Sequence, residues 1–167
     1  MGTSDIWYGV VTSRGSREEP RIRVSDHPFF RGMDPSWVDL ASRGSTETTY
    51  DAGDLIVREG EFASRFHLIF HGLVVVEVGS AFGGPTMTQT VGPGEVLDWS
   101  GLYPPYVGRF DARALKETRA VTLDSMALRR ALESDPEEAN RFWERLVSVI
   151  GERLEDLRAR VARPPGR

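Results

Sequence analysis

The stretch Tyr50-Asp51-Ala52-Gly53-Asp54-Leu55-Ile56-Val57-Arg58-Glu59-Gly60-Glu61-Phe62-Ala63-Ser64-Arg65-Phe66-His67-Leu68-Ile69-Phe70-His71-Gly72-Leu73-Val74-Val75-Val76-Glu77-Val78 alternates short apolar runs with glycine-bearing breaks. Leu55-Ile56-Val57, Phe66-His67-Leu68-Ile69-Phe70 and Leu73-Val74-Val75-Val76-Glu77-Val78 have strand length and β-branched or aromatic composition. Turn signals separate them at Ala52-Gly53-Asp54, Glu59-Gly60-Glu61 and His71-Gly72. A glycine at such a break supplies positive φ, or lets a neighbouring strand approach closely. The pattern continues through a glycine-rich break at 79–85, Gly92-Pro93-Gly94 and Val121-Thr122-Leu123. Many short strands at close spacing predict an antiparallel roll or sandwich over 48–124.

Helical signals flank this core. Asp34 followed by Pro35 reads as an N-cap and first helical residue; Trp37, Val38, Leu40 and Ala41 follow at helical spacing, and Gly44 ends the segment. After the strands, Ser125 is expected to cap a short helix carrying Met126, Leu128, Arg129 and Leu132. Asp135, with Pro136 next and Glu138 three residues on, forms a capping-box pattern for a longer helix that runs toward Arg163 and stops at Pro164-Pro165-Gly166. The expected organisation is an N-terminal flexible segment over 1–25, a β-roll over 26–134, a C-terminal helix over 135–163 and a tail over 164–167. Within the first segment, residues 6–11 could form a short strand and residues 13–20 read as a linker.

Composition bounds the function. The chain has 167 residues, 40% apolar and 28% charged, with a net charge of −4. That is ordinary for a globular domain and offers nothing global to nucleic acid or an anionic membrane. No apolar run approaches the roughly 20 residues that span a bilayer, and no secretory pattern opens the chain. A cytoplasmic location is therefore expected. Cysteine is absent, which removes thiolate catalysis, disulfides and cysteine-based metal sites. Neither a nucleophile elbow nor a phosphate loop of the Gly-x-x-x-x-Gly-Lys type occurs, so no catalytic residue is assigned and no enzyme is expected.

The spaced positions Tyr50, Gly53-Asp54, Leu55-Ile56, Gly60, Phe66, Ile69, Gly72 and Val74 resemble the first half of a cyclic-nucleotide-binding domain of the Crp/Fnr-like type. Val91-Gly92-Pro93-Gly94-Glu95 is similar to the turn that follows in that family, and the likeness resumes at Ala114-Leu115 and Leu123-Asp124. It implies a mainly β fold: an antiparallel β-roll or jelly roll with flanking helices and a long C-terminal helix. In the family, a cassette of the order Phe-Gly-Glu-Leu-Ala, then a loop, then Pro-Arg-Ser-Ala holds the ligand, the Glu on the ribose hydroxyl and the Arg on the cyclic phosphate. Here Leu97-Asp98-Trp99-Ser100-Gly101-Leu102 occupies the cassette. The family glycine falls on Asp98, the ribose Glu on Trp99 and the phosphate Arg on Gly108, with Arg109 one residue later. The nucleotide contacts are not carried over. Asp98 also sets an acid where a phosphate would rest.

Three outcomes stay open for the pocket. One is a pocket self-filled by Trp99, leaving a structural or protein-interaction domain. Another is a pocket remodelled for a different small ligand by Glu95, Asp98, Trp99, Ser100, Tyr103, Tyr106, Arg109 and Phe110. The third keeps a cyclic nucleotide, with Arg109 replacing the lost arginine through a bulge; no other cofactor is expected. A cupin-like metalloenzyme is a remote alternative. His67 and His71 lie about 13 Å apart on a strand and cannot share an ion, so no metal is assigned.

In the tail, Trp143, Val147, Ile150, Leu154, Leu157 and Val161 recur at alternating four- and three-residue steps, as at coiled-coil a and d positions. Phe142, Leu146 and Val149 form a second stripe. The expectation is a homodimer through this helix, with one stripe on the roll and the other on the partner. The flanking Arg153, Arg158 and Arg160 would repel across a simple parallel pair. The resemblance implies a DNA-binding domain after such a helix in the family's regulators; here the chain stops at Arg167, so a stand-alone sensory module without nucleic-acid contact is expected.

Overall fold

The computed structural model describes residues 22–79 and 85–161. The possible strand at 6–11, the linker at 13–20 and the stop at 164–166 lie outside them. After two short 3-10 turns, Val24–Asp26 and Pro28–Phe30, come α1 (Pro35–Ala41), β1 (Thr46–Tyr50), β2 (Leu55–Val57), β3 (Arg65–His71), β4 (Val74–Gly79), β5 (Pro85–Val91), β6 (Val96–Leu97), a 3-10 turn (Trp99–Leu102), β7 (Asp111–Ala114), β8 (Thr118–Asp124), α2 (Ser125–Ser134) and α3 (Pro136–Val161).

The strands form two four-stranded sheets with orders β1-β8-β3-β6 and β2-β7-β4-β5, all pairings antiparallel. The expected jelly-roll-like architecture with flanking helices is the one observed. Val57, Ile69, Val74, Val76, Val91, Leu97, Ala112 and Ala120, drawn from both sheets, fill the space between them. A second core lies on the outer face of the β1-β8-β3-β6 sheet, where Phe66, Leu68, Val121 and Leu123 meet Phe30, Trp37, Leu128 and Phe142 from the helical elements. Strand β3 serves both cores. Because side chains alternate across a strand, Phe66 and Leu68 face the helices while Ile69, in the same register as His67, faces the interior of the roll. A strand buried on both faces reads as a continuous apolar run, as this one does.

Gly72 closes the β3–β4 connection with φ 99°. A Cβ there would lie 2.5 Å from the Glu117 carbonyl oxygen, so both conformation and space exclude a side chain.

The helix ends follow capping chemistry, with two departures from expectation. Asp34 caps α1 by accepting from the Trp37 amide at 3.0 Å, as expected. For α2 the cap is Asp124, not Ser125: Asp124 Oδ1 accepts from the Ala127 amide at 2.8 Å, and Ser125 is the first helical residue. A carboxylate with extended backbone outcompetes the hydroxyl that follows it. Asp135 Oδ1 accepts from the amides of Glu137 and Glu138 at the start of α3. Glu138 does not reach back to complete a capping box; its Oε2 accepts from the Asp34 amide at 3.1 Å, tying the start of α3 to that of α1.

Candidate functional site

The loop between β6 and β7 is where the sequence places a ligand cassette, and its backbone explains the residue types. Asp98 adopts φ 60°, ψ 69°. That left-handed conformation suits glycine, and Asp is among the few other residues that enter it readily. The position that is glycine in the resembled pattern thus keeps its backbone role here while gaining a carboxylate. The conformation turns the side chain inward, and Asp98 is only 4% exposed. Burial pushes its carboxyl from an ordinary 3.8 up to about 6, against the opposing pull of the Ser100 hydroxyl and amide beside it.

Gly108 stands where the phosphate-binding arginine is expected. It is buried, its amide donates to the Glu61 carbonyl at 2.8 Å, and its own carbonyl accepts from the Gly60 amide at 2.9 Å. A Cβ on Gly108 would lie 2.6 Å from the Arg58 carbonyl oxygen. The β6–β7 loop is therefore zipped against the β2–β3 turn with no room for a side chain. Arg109, the one-residue alternative, is exposed.

Trp99 does not line the cavity beside Asp98. Its half-buried indole packs against the helix-side core, edge-on to Phe110 with ring centroids 6.4 Å apart. On another side it meets the Arg153 guanidinium, 5.0 Å from the ring centre. Arg153 comes from α3 and is buried. Its Nη2 donates to the Val96 carbonyl at 2.5 Å and lies 3.7 Å from Glu95 Oε1, while Nε and Nη1 have no hydrogen-bond partner. Desolvation lowers its pKa, and the Glu95 carboxylate opposes that. Glu95 in turn accepts from the Gly92 amide at 2.6 Å, pinning its own turn. The expectation that Arg153 flanks a partner helix is thereby corrected: it continues the roll-facing stripe of Phe142, Leu146 and Val149. Spacing alone carried that signal, since 142, 146, 149 and 153 follow four-, three- and four-residue steps.

The eight expected pocket residues do not converge. Glu95 and Trp99 meet Arg153, and Phe110 packs edge-on to Trp99. Tyr106 stacks under the Arg129 guanidinium at 4.3 Å, Tyr103 is exposed, and Ser100 is buried with an unpartnered hydroxyl. Asp98 lines a cavity of about 170 Å³ between the β2–β3 turn and the β6–β7 loop. Its floor includes His67, 1% exposed, which sequence reasoning weighed only as a metal ligand. Burial, aided by the nearby Arg65 charge, lowers the His67 pKa to about 4, so the ring is neutral near pH 7. Among the described residues no group of three or more His, Asp or Glu could hold a metal ion.

The outward stripe of α3 is solvent-facing. Trp143, Val147, Ile150 and Leu154 are exposed large apolar residues and Leu157 is half-buried; nothing is described of the Val161 and Arg160 side chains. No helix among the described residues is long and apolar enough to cross a membrane.

This fold and this cassette position are those of a ligand-sensing β-roll. The model of the family "Cyclic nucleotide-binding domain" matches residues 47–135, and the chain belongs to that family. It is 26% identical over 126 residues to the "CRP-like cAMP-activated global transcriptional regulator" of Mycobacterium tuberculosis, covering 75% of this chain and 54% of that one. The chain thus spans about half the length of that curated relative. Two solved structures share the fold. A Geobacter metallireducens protein named for cyclic nucleotide binding aligns with TM-score 0.67 and 24% identity, over 75% of this chain and 91% of that one. The sensor domain of the transcriptional regulator DNR from Pseudomonas aeruginosa aligns with TM-score 0.64 and 17% identity, over 77% and 87%. These names denote regulators and ligand-binding proteins, not enzymes.

Proposed function

We propose that this domain is a cytoplasmic sensory or regulatory module that has lost the family's cyclic-nucleotide contacts and acts as a homodimer through α3. The observation that carries the reading is Gly108. The residue at the phosphate-arginine position is a glycine whose Cα faces the Arg58 carbonyl, with 2.6 Å left for any Cβ. Trp99 at the ribose-carboxylate position presents an indole to Arg153 instead of an acceptor to a hydroxyl. Asp98 adds a buried acid where an anionic phosphate would rest, a repulsion that a low-dielectric site strengthens. The homodimer rests on the row of exposed Trp143, Val147, Ile150 and Leu154 on a helix whose opposite stripe is already occupied by the roll.

Titration calorimetry with cyclic AMP and cyclic GMP tests the nucleotide part: no binding is expected in the low-micromolar range. Tight binding that Arg109→Ala abolishes would restore the nucleotide and overturn the reading. The closure of the β6–β7 loop on the β2–β3 turn, through Gly108 and the Glu61 and Gly60 backbone, favours a second reading, a structural or protein-interaction domain.

A further inference from the structure

Four strands stand at sheet edges, and three of them carry a feature that blocks further pairing. β6 is two residues long, and Arg153 from α3 donates to its Val96 carbonyl. β2 is three residues long, and its ladder with β7 slips between Leu55 and Val57. β5 starts at Pro85 and faces a slip in β4 between Val76 and Glu77. Short length, proline and bulges are common means by which an edge refuses another strand. β1 has none of the three protections. Its five residues pair with β8 in continuous register from Thr46 to Tyr50. It contains no proline, and its one charged side chain, Glu47, is held by Arg119 at 2.5 Å. Among the described residues no strand pairs with its other side.

The chain itself arrives beside this edge. Ile22, Val24, Val38, Ser45, Glu47 and Val121 are among the residues lining a groove of about 600 Å³. Glu47 of β1 lies opposite Val121 of β8, so the groove flanks the β1 edge on the helix-covered face of the sheet. The described chain begins at Ile22, in that groove. The sequence leading into it carries Ile6-Trp7-Tyr8-Gly9-Val10-Val11, whose β-branched and aromatic residues suit a strand. On a strand Ile6, Tyr8 and Val10 share one face and Trp7 and Val11 the other. Apolar residues on both faces fit a strand that is covered on both. At the β1 edge the groove lies on one face, and on the other half-buried Tyr50 packs against the interior core. Ten residues, 12–21, join the segment to Ile22. They reach at most about 33–36 Å, against about 17 Å for the length of β1. An antiparallel strand ends with Val11 toward Thr46, the end of β1 nearest the groove, and so asks least of that reach.

We propose that residues 6–11 add to the free side of β1 as an antiparallel fifth strand of the β1-β8-β3-β6 sheet, occupying the edge within the same chain. The role is protective, because an edge filled by its own chain is closed to pairing with a second copy. A short tether holds the segment at an effective concentration on the order of millimolar, which a second copy at micromolar concentration does not match. The proposal depends neither on the loss of nucleotide contacts nor on the α3 homodimer.

NMR of the isotope-labelled full chain tests it. Hα–Hα contacts are expected between residues 6–11 and 46–50. Both alternate sets of β1 amides, those facing β8 and those facing away, are expected to exchange slowly. Successive amides point to opposite sides of a strand, so one of Val10→Pro and Val11→Pro necessarily removes a ladder bond. At about 50 μM that variant is expected to speed exchange of the outward β1 amides at least about tenfold. The amides of β3 and β8 should stay as slow as in the wild type, which shows the fold intact. Ser13→Pro, in the connecting stretch, is expected to leave the outward β1 amides protected. The proposal falls if those amides exchange freely in the wild type, or if neither Val10→Pro nor Val11→Pro speeds them. It also falls if their protection grows with concentration and, in mixtures of differently labelled chains, the Hα–Hα contacts run between two copies. That result would give the edge to a second copy instead.

Discussion

Asp98→Asn should change how stability depends on pH in a direction that ordinary surface carboxylates cannot mimic. In the folded chain burial raises the Asp98 carboxyl from 3.8 to about 6. The folded state therefore holds a proton there over an interval where the unfolded chain has released it. This contribution to stability is complete below the unfolded value and is lost as pH rises through the folded one. At about 1.36 kcal/mol per pH unit, the interval amounts to about 3 kcal/mol of destabilisation by pH 7. Replacing the acid by the amide removes that penalty and sets against it a buried amide N–H costing about 1 kcal/mol, for an expected net gain of about 2 kcal/mol at neutral pH. His27 and His67 work in the opposite sense. Burial lowers both from 6.5 to about 4, so their contribution is present above 6.5 and is lost as pH falls toward 4. In the wild type, protonation of Asp98 offsets part of that acid loss; in the variant it does not. Urea melts between about pH 4 and about pH 8, followed by tryptophan fluorescence and far-ultraviolet dichroism, should show two curves that cross toward the acid end, where the variant is the less stable by up to about 1 kcal/mol, and separate by about 2 kcal/mol in the variant's favour at the alkaline end. Parallel curves, or an Asn variant less stable at the alkaline end, would refute the buried, unpaired state of Asp98.

Gly108→Ala should destabilise by about 2 kcal/mol or more, because its Cβ must displace the backbone of the β2–β3 turn; denaturant melts report it, and a neutral result would mean that the loop has room for an arginine after all. Arg153→Met should leave stability within about 1 kcal/mol, since it removes a hydrogen bond and a cation–π contact together with two buried unpaired N–H groups. Arg153→Ala, which also deletes the stem that packs beside Trp99, should lose about 2 kcal/mol more in the same melts; equal losses for the two would assign the whole effect to charge. Leu154→Glu combined with Leu157→Glu should give a folded monomer by sedimentation equilibrium. A wild-type chain that is itself monomeric at about 100 μM would remove the homodimer.

The fold was legible because its determinants are local and repeated. The breaks at Gly53, Gly60, Gly72 and Gly94 all have positive φ, and they punctuate apolar runs whose length suits strands. A roll follows from that rhythm even when the pairing partners are unknown. Sequence and structure part where two neighbouring residues offer the same chemistry. Asp124 and Ser125 are both good N-caps, and only the tertiary path of the chain out of β8 selects the first. Glu138 had the right spacing for a capping box, but a backbone amide 104 positions away at Asp34 took its carboxylate, and no local pattern registers such a partner.

The site was less legible because a cassette is defined by where side chains point, and residue identity does not fix that. Reading Leu97-Asp98-Trp99-Ser100 as a linear replacement of ribose and phosphate contacts places the indole in the vacated space. Instead the left-handed backbone at Asp98 sends its carboxylate inward beside His67, and the following 3-10 turn carries Trp99 outward to Arg153. A single φ of 60° thus decides which of two adjacent residues enters the roll. The same logic explains why His67 reads from the sequence only as a metal candidate and not as a buried residue of the roll interior. On β3 its neighbours Phe66 and Leu68 belong to the helix-side core, and only alternation places His67 on the inner face, opposite Leu97 in the β3–β6 ladder. Arg153 was concealed in the same way, because a heptad reading sorts residues by apolarity and passes over a charged member of the inward stripe. Its four-residue step from Val149 and its guanidinium over Trp99 put it on the roll-facing side. In each of these cases the deciding quantity is the direction of a Cα–Cβ bond, which periodicity predicts in regular elements and which a left-handed residue such as Asp98 overrides.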